Sequence, residues 1–229
     1  NAVGAGAAIN VTAAPAFGTW AGAFNLNAEG GITIGSSISR TSGAINMTAG
    51  AGQVIALNGA TVSTSGAVSF NSNVTLGANT TVSAGAGAVT FGGTVTGSGG
   101  NRNLTVNTTG ATTFAGSLSS IGVLSTNTGG STSFGGDVSI SGSSTLADSV
   151  TFTSGAHTLT NTGAFTTTFS STVGGPGSLT INTGTGTTTF TGAVGGTPLA
   201  GLTVNSTGNV TFSSTINGGM PLAVNTTGT

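Results

Sequence analysis

A motif of about ten residues, which begins with leucine and ends with phenylalanine, recurs through the second half of the chain. The five complete copies are LTVNTTGATTF (104–114), LSTNTGGSTSF (124–134), LTNTGAFTTTF (159–169), LTINTGTGTTTF (179–190) and LTVNSTGNVTF (202–212). A sixth copy, LAVNTTGT (222–229), is cut off by the end of the sequence. With Phe165 left aside, successive phenylalanines from Phe70 onward lie 17 to 23 residues apart. A period of about 20 residues is typical of solenoids, whose units are stable only beside their neighbours.

The residues within each copy alternate with the period of a β-strand. In Leu104-Thr105-Val106 the aliphatic side chains share one side and the threonine takes the other. Threonine, valine and isoleucine favour strands, and no segment shows the spacing of an amphipathic helix. The sequence therefore predicts an all-β parallel β-helix, or β-solenoid, with about 20 residues and three short strands in each coil. Successive coils would lie about 4.8 Å apart, so that about eleven coils make a rod on the order of 50 Å long.

We expect the phenylalanine and the leucine of each coil to point inward and to stack on their counterparts in the next coil. The predicted core ladders are Phe70, Phe91, Phe114, Phe134, Phe169, Phe190 and Phe212, with Leu104, Leu124, Leu159, Leu179, Leu202 and Leu222. The asparagine that follows each leucine is expected at a corner, because asparagine tolerates the positive φ of a sharp turn. These predicted corner residues are Asn107, Asn127, Asn161, Asn182, Asn205 and Asn225.

The first 30 residues are less regular than the rest. Pro15, Phe17, Trp20 and Phe24 crowd together without repeat partners. We interpret residues 1–30 as an irregular cap or docking segment, with an aromatic plug rather than a ligand site, and residues 31–229 as solenoid repeats. The start of the sequence lacks the basic region of a signal peptide, so we expect either a mature chain or a fragment.

Charge is almost absent from the chain. Only 2% of its residues are charged, against about 25% in an ordinary soluble domain. Two arginines make no basic patch, so neither nucleic acid nor an anionic membrane surface is an expected partner. The chain has no cysteine and no apolar run long enough for a transmembrane helix. A net charge of -1 with 36% hydrophobic residues argues for folding rather than disorder.

Several runs resemble a known class of repeat. GITIGSSIS, GAINMTAGAGQVIALNGA, GAVSFNSNVTLGANTTVSAGAGAVTFGGTV and LTINTGTGTTTFTGAVGG are similar to repeats of bacterial filamentous-haemagglutinin-type and autotransporter-type adhesins. The resemblance covers about residues 31–229. It implies a right-handed parallel β-helix, secretion to the cell surface, and a part in adhesion, biofilm or filament formation. The secretion domain and membrane anchor of such proteins do not occur in this sequence.

The ionisable residues offer little material for catalysis or for a metal site. Asp137 and Asp148 are separated by about half a coil and are expected on different faces, and His157 is expected at the surface or in a turn. Glycosidases with this architecture need clustered carboxylates. The acidic GGxGxD repeat of calcium-binding β-rolls is missing as well. We therefore expect no enzymatic activity, no metal and no cofactor.

Ice binding is a remote alternative, because some threonine-rich solenoids bind ice through a flat array with two outward threonines on each strand. Thr105 and Thr203 each lie between inward aliphatic residues, so the regular strands are expected to show one outward threonine each. Two other functions remain open from the sequence. The chain is either a segment of an extracellular adhesin stalk, with further repeats as its partners, or a filament subunit whose copies associate end to end or laterally. The sequence does not indicate an adhesion target.

Overall fold

The computed structural model describes residues 4, 6–18, 20–59, 61–217 and 219–226. The chain is all-β and coils about ten times, with stacked coils about 21 residues apart. All of its strand pairs are parallel, and the three strands of a coil define three sides that we call faces 1, 2 and 3 in chain order. The described ranges contain no helix, and hence none with the length and apolarity needed to cross a membrane. The predicted fold class is thus confirmed.

Each face is a continuous stack of strands. Face 1 contains β1 (Ile9–Val11), β3 (Ile32–Ile34), β6 (Val54–Leu57), β9 (Asn73–Leu76), β12 (Val95–Gly97), the start of β15 (Leu118–Thr126), β17 (Val138–Ile140), β20 (Ala156–Asn161), β23 (Ser178–Gly184), β25 (Gly201–Ser206) and β27 (Leu222–Thr226). Face 2 contains β4 (Ile38–Ser39), β7 (Thr61–Ser63), β10 (Thr80–Gly85), β13 (Arg102–Thr108), the end of β15, β18 (Ser144–Leu146), β21 (Thr167–Phe169), β24 (Thr188–Phe190) and β26 (Val210–Phe212). Face 3 contains β2 (Phe24–Asn27), β5 (Ile45–Thr48), β8 (Val68–Phe70), β11 (Val89–Phe91), β14 (Ala111–Phe114), β16 (Ser131–Phe134), β19 (Ser149–Phe152) and β22 (Val173–Gly174), and isolated bridges extend it through Val194 to Ile216.

Strand β15 runs round the corner between faces 1 and 2. Its start pairs through Leu118 with Val95, and its end pairs through Leu124 with Leu104. The bend falls at Ser120, whose φ is +53°. This is the left-handed region, which non-glycine residues seldom adopt, and Ser120 is the one such residue in the described ranges.

The interior is built from aromatic and aliphatic ladders. Phe70, Phe91, Phe114 and Phe134 are fully buried on face 3, and their rings stack with centroids 4.9 to 5.3 Å apart. Phe152 continues this ladder, although the leucine-to-phenylalanine motif does not include it. The alternating buried positions of each strand exclude water from the core, and each fully buried phenylalanine contributes roughly 1.5–3 kcal/mol.

The phenylalanines do not form the single ladder that the repeat predicts. Phe169 pairs with Leu146 on face 2, and it begins a second ladder with Phe190 and Phe212. Val173, rather than Phe169, follows Val150 on face 3. The repeat motif therefore moves back by one face between Phe152 and Phe169. We call this displacement the one-face slip.

The leucines move with the motif. Leu104 pairs with Leu124 on face 2, whereas Leu202 pairs with Leu179 and with Leu222 on face 1. Leu159 lies instead between Val138 and Ile181, so the leucines also form more than one ladder. All of these leucines are buried except Leu222, which is 43% exposed.

The corners differ from the prediction in which residue forms them. None of the six predicted corner asparagines has a positive φ, and Asn107, Asn182 and Asn205 lie inside strands. After Asn107 and after Asn205, the turn is held by the next residue, whose inward hydroxyl bonds the corner backbone. Ser206 Oγ donates to the Gly186 carbonyl at 3.0 Å and accepts from the Gly208 amide at 3.0 Å. Such local side-chain bonds replace the ladder bonds that end at a corner.

Thr108 and Asn161 make the same kind of corner. Thr108 Oγ1 donates to the Gly87 carbonyl at 2.5 Å and accepts from Gly110 N at 2.9 Å. Asn161 is the one predicted corner asparagine that acts in this way, because its Oδ1 accepts from Gly163 N at 3.1 Å. Its side chain points inward, whereas the asparagines of the regular copies point outward. The inward position, rather than the residue type, decides which side chain holds a corner.

The predicted boundary at residue 30 is not a boundary in the fold. Strand β1 pairs with β3, and β2 pairs with β5, so the stacks begin within the segment interpreted as an irregular cap. Residues 1–3, 5 and 19 of that segment lie outside the described residues, as do residues 227–229 of the incomplete last copy. Between β1 and β2 the chain forms an irregular loop that carries Phe17 and Trp20.

Candidate functional surfaces

The six ionisable side chains are dispersed over the coils. Glu29 and Asp137 are exposed, while Arg40, Asp148 and His157 are buried. No three His, Asp or Glu side chains of the described residues form a group that could hold a metal ion. Asp137 lies beside face 1, where its Oδ1 accepts a hydrogen bond from Thr158 N at 2.8 Å.

Asp148 occupies an inward position at the corner between faces 2 and 3. Its side chain is 2% exposed, and both carboxylate oxygens accept hydrogen bonds from inward hydroxyls, those of Thr126 and Thr132. The Thr132 bond measures 3.1 Å. Thr126 Oγ1 also accepts from Ala147 N at 3.0 Å. A buried carboxylate is costly unless it is hydrogen-bonded, and here both oxygens are. Because the cluster is also closed to solvent, it is a polar part of the core and not a binding cleft.

His157 was expected at the surface but is buried, with 5% exposure, in strand β20. Its ring lies 5.8 Å from that of Phe152, and its Nε2 lies 2.9 Å from the Thr153 carbonyl oxygen. Nδ1 is buried without a hydrogen-bond partner. His157 precedes Leu179 and Leu202 in an inward column of face 1. It therefore replaces an aliphatic core residue at the level of the one-face slip.

Arg40 ties the irregular loop to the solenoid. Its guanidinium donates to the Ala44 carbonyl at 2.8 Å and to the Gly22 carbonyl at 2.5 Å. Its Cζ lies 4.9 Å from the centroid of the Phe17 ring and 4.7 Å from that of Trp20. Cation–π contact with two rings and bonds to loop carbonyls together hold the segment in place. The aromatic cluster is thus a structural clamp around one arginine.

Outward side chains form ladders on all three faces. On face 1, Asn205 Nδ2 donates to Asn182 Oδ1 at 2.9 Å, and Asn225 Nδ2 donates to Asn205 Oδ1 at 2.8 Å. On face 2, Thr105 and Asn107 both lie outside the buried Val106. The strand thus has the one outward threonine that the sequence predicts, and Asn107 adds a second outward polar residue beside it. Asn107 is predicted at a turn, but it lies within the strand.

Comparison with protein-family models, with curated proteins and with solved structures found no match.

Proposed function

We propose that the chain is a structural rod, a repeat segment of an extracellular bacterial surface-adhesin stalk. The observation that carries the proposal is the unbroken pairing of strands from β1 to β27 along face 1. At about 4.8 Å per coil, ten turns give a rod of about 50 Å. Adhesion itself would then reside in other parts of the protein.

Rigidity supports this role. The core ladders run through the one-face slip without a gap, because Leu146 and Phe169 meet on face 2 where the motif changes place. The coils in the middle of the rod are bonded to both neighbours on three sides, which opposes bending in every direction. The scarcity of charge, at 2% of residues, also leaves few groups whose repulsion would limit lateral packing of rods.

The location is tested by antibody labelling of intact cells of the source bacterium. Labelling without permeabilisation, and its loss after brief external proteolysis, is expected for a surface stalk. Labelling only after permeabilisation would contradict an extracellular position. The shape is tested by electron microscopy and small-angle X-ray scattering of the purified chain at micromolar concentration, where separate rods of about 50 Å are expected.

End-to-end assembly into a filament is the second candidate. Strand β27 carries the apolar Leu222 and Val224, which are 43% and 40% exposed, so the last described rung has apolar surface that another rung would cover. In a stalk the next repeat of the same chain covers it. In a filament a second copy does so. Long fibres in the same micrographs, with an axial repeat near one subunit length, would favour the filament over the stalk.

A further inference from the structure

One outward column of face 2 consists entirely of hydroxyl side chains. Eight successive strands place a threonine or serine at the same register position, each paired with the next. The column contains Thr61, Thr81, Thr105, Ser125, Thr145, Thr168, Thr189 and Thr211. We call it the hydroxyl column.

The hydroxyl column persists although the motif beneath it changes. On the N-terminal side of the one-face slip, Thr105 and Ser125 come from leucine strands, whereas Thr61 and Thr81 come from strands without leucine. On the C-terminal side the members come from the phenylalanine strands, as Thr168 comes from Thr167-Thr168-Phe169. Two different motifs thus place the same chemical group at the same surface position. The inward ladder beside the column changes from valine, through Thr126 and Leu146, to phenylalanine, while the outward hydroxyls are kept.

A second polar column runs parallel to the first. It lies two residues further along the chain, beyond a side chain that points into the core; its first three members lie within their strands, and the other five directly follow the strand end. Its members are Ser63, Ser83, Asn107, Asn127, Ala147, Ser170, Thr191 and Ser213, all at least partly exposed. The two columns therefore form a narrow grid that contains seven further polar side chains, one alanine and no ionisable group.

The hydroxyl column is free to bind outside groups. None of its eight side chains makes a hydrogen bond within the described part of the chain. Several outward residues of face 1 do, since Thr96 bonds Ser119 and Asn205 bonds Asn182. Face 1 is also interrupted by the charged Asp137. Each free hydroxyl can both donate and accept a hydrogen bond, and β-branched threonine is restricted at χ1, so the grid is preorganised.

The dimensions of the grid match those of a tetrahedral water lattice. Two waters bonded to a common third at the tetrahedral angle lie about 4.5 Å apart, given O···O distances near 2.75 Å. The same lattice repeats at about 7.3 Å in the perpendicular direction. Neighbouring strands lie about 4.8 Å apart, and residues i and i+2 about 6.6 Å apart, so both spacings agree to about a tenth.

The grid is uncharged and small, and both properties limit which molecules other than ice could bind to it. A charged partner finds no counter-charge in either column. The grid covers on the order of 400 Å², whereas a stable protein interface buries about 800 Å² on each partner, so a second copy of the chain is poorly suited. We propose that face 2 binds ice through the hydroxyl column and its parallel neighbour.

The test is ice-recrystallisation inhibition and ice shaping by the purified 229-residue chain, beside an equal concentration of a globular protein that does not bind ice. The face 2 variants are Thr105→Tyr and Thr168→Tyr, whose bulk prevents flat contact. The matched control is Thr113→Tyr, since Thr113 is an outward residue in the middle of a face 3 strand. The parent chain and the control should inhibit recrystallisation. Each face 2 variant should need at least a tenfold higher concentration for the same effect.

Melting curves by circular dichroism show whether each variant is folded. If Thr105→Tyr does not fold, Thr168→Tyr decides. Absence of inhibition by the parent chain, or an equal loss in the face 2 variants and the control, would overturn the proposal. Binding of the parent chain to microcrystalline cellulose, lost in the same face 2 variants and without any effect on ice, would overturn it in favour of a crystalline polysaccharide.

Discussion

The rings of Phe114 and Phe134 lie 5.3 Å apart between centroids, with their planes 6° from parallel, and both side chains are fully buried. Phe114→Ala removes the middle of this stack and leaves a cavity that the hydrogen-bonded coils cannot collapse to fill. We expect the free energy of unfolding to fall by about 3–5 kcal/mol, measured by denaturant titration. The neighbouring outward variant Thr113→Ala is the control and should change it by less than about 1 kcal/mol. Equal, small effects of both changes would contradict the inward ladder.

Gly110 faces the backbone of the preceding coil at a corner. A Cβ on this residue would lie 2.7 Å from the Ala86 carbonyl oxygen and 2.8 Å from that of Gly87. Gly110→Ala should therefore separate two coils locally and lower the melting temperature by several degrees. Gly201→Ala is a matched control, because the nearest atom to its Cβ would be 3.7 Å away. A control that melts as early as Gly110→Ala would refute close stacking at this corner.

Ser120 carries a left-handed backbone at the bend of β15. A non-glycine residue in this conformation costs about 1 kcal/mol or more, and glycine adopts it without strain. Ser120→Gly should be neutral or stabilise the fold by up to about 1 kcal/mol, despite the greater freedom of glycine in the unfolded chain. Thermal unfolding of Ser120→Gly beside Ser139→Gly, in which the replaced residue is an outward strand residue with an ordinary backbone, measures the difference. Destabilisation of equal size in both variants would show that the bend is unstrained.

Asp148 is the shared acceptor of the buried Thr126 and Thr132 hydroxyls. Asp148→Ala leaves both hydroxyls without that acceptor in a closed corner, which should cost about 1–3 kcal/mol of stability. Asp148→Asn keeps one oxygen acceptor and should lose less. Glu29→Ala removes an exposed carboxylate and is the control for loss of charge alone. If Glu29→Ala and Asp148→Ala lower stability equally in chemical denaturation, the buried hydrogen bonds of Asp148 do not stabilise the fold.

Arg40 can be tested with the single tryptophan of the chain. Arg40→Met preserves much of the side-chain volume but removes the guanidinium that contacts Trp20 and the loop carbonyls. The loop should then detach, so acrylamide quenching of Trp20 fluorescence should increase while the solenoid remains folded by circular dichroism. Arg102→Met is the matched control, because Arg102 bonds the Ser98 carbonyl in its own coil, which is distant from Trp20. Unchanged quenching in Arg40→Met would show that the loop is held by other contacts.

The local pattern was sufficient to predict strands, coils and an inward phenylalanine, because alternation in one strand decides which side chains are buried. It was not sufficient to assign faces. Phe152 and Phe169 are 17 residues apart, a spacing that by itself indicates one complete coil with a shortened loop. In the structure these residues span only face 1 and face 2 of the next coil. One sequence signal does mark the change, since no leucine lies ten or eleven residues before Phe152, whereas each of the five complete copies has one there.

The polar contacts could not be predicted in the same way. Arg40, Asp148 and His157 have no counterpart of the same type in neighbouring coils, so no repeated pattern shows whether their side chains point inward. Their partners lie up to 22 residues away, as Thr126 does from Asp148. Such contacts depend on which corners are stacked, and hence on loop lengths that periodicity does not determine. The hydroxyl column could not be predicted for the same reason, because its N-terminal and C-terminal halves come from different motifs.

The one-face slip changes how the rod is seen from outside. A binding protein that recognised the outward side of the leucine strand would find it on face 2 around Thr105, but on face 1 around Thr203. The two epitopes have nearly the same sequence, yet they point about a third of a circle apart. In a longer rod with further slips, the same short motif would lie on each of the three faces in turn. A binding protein could then reach it from any direction, although the motif itself is unchanged.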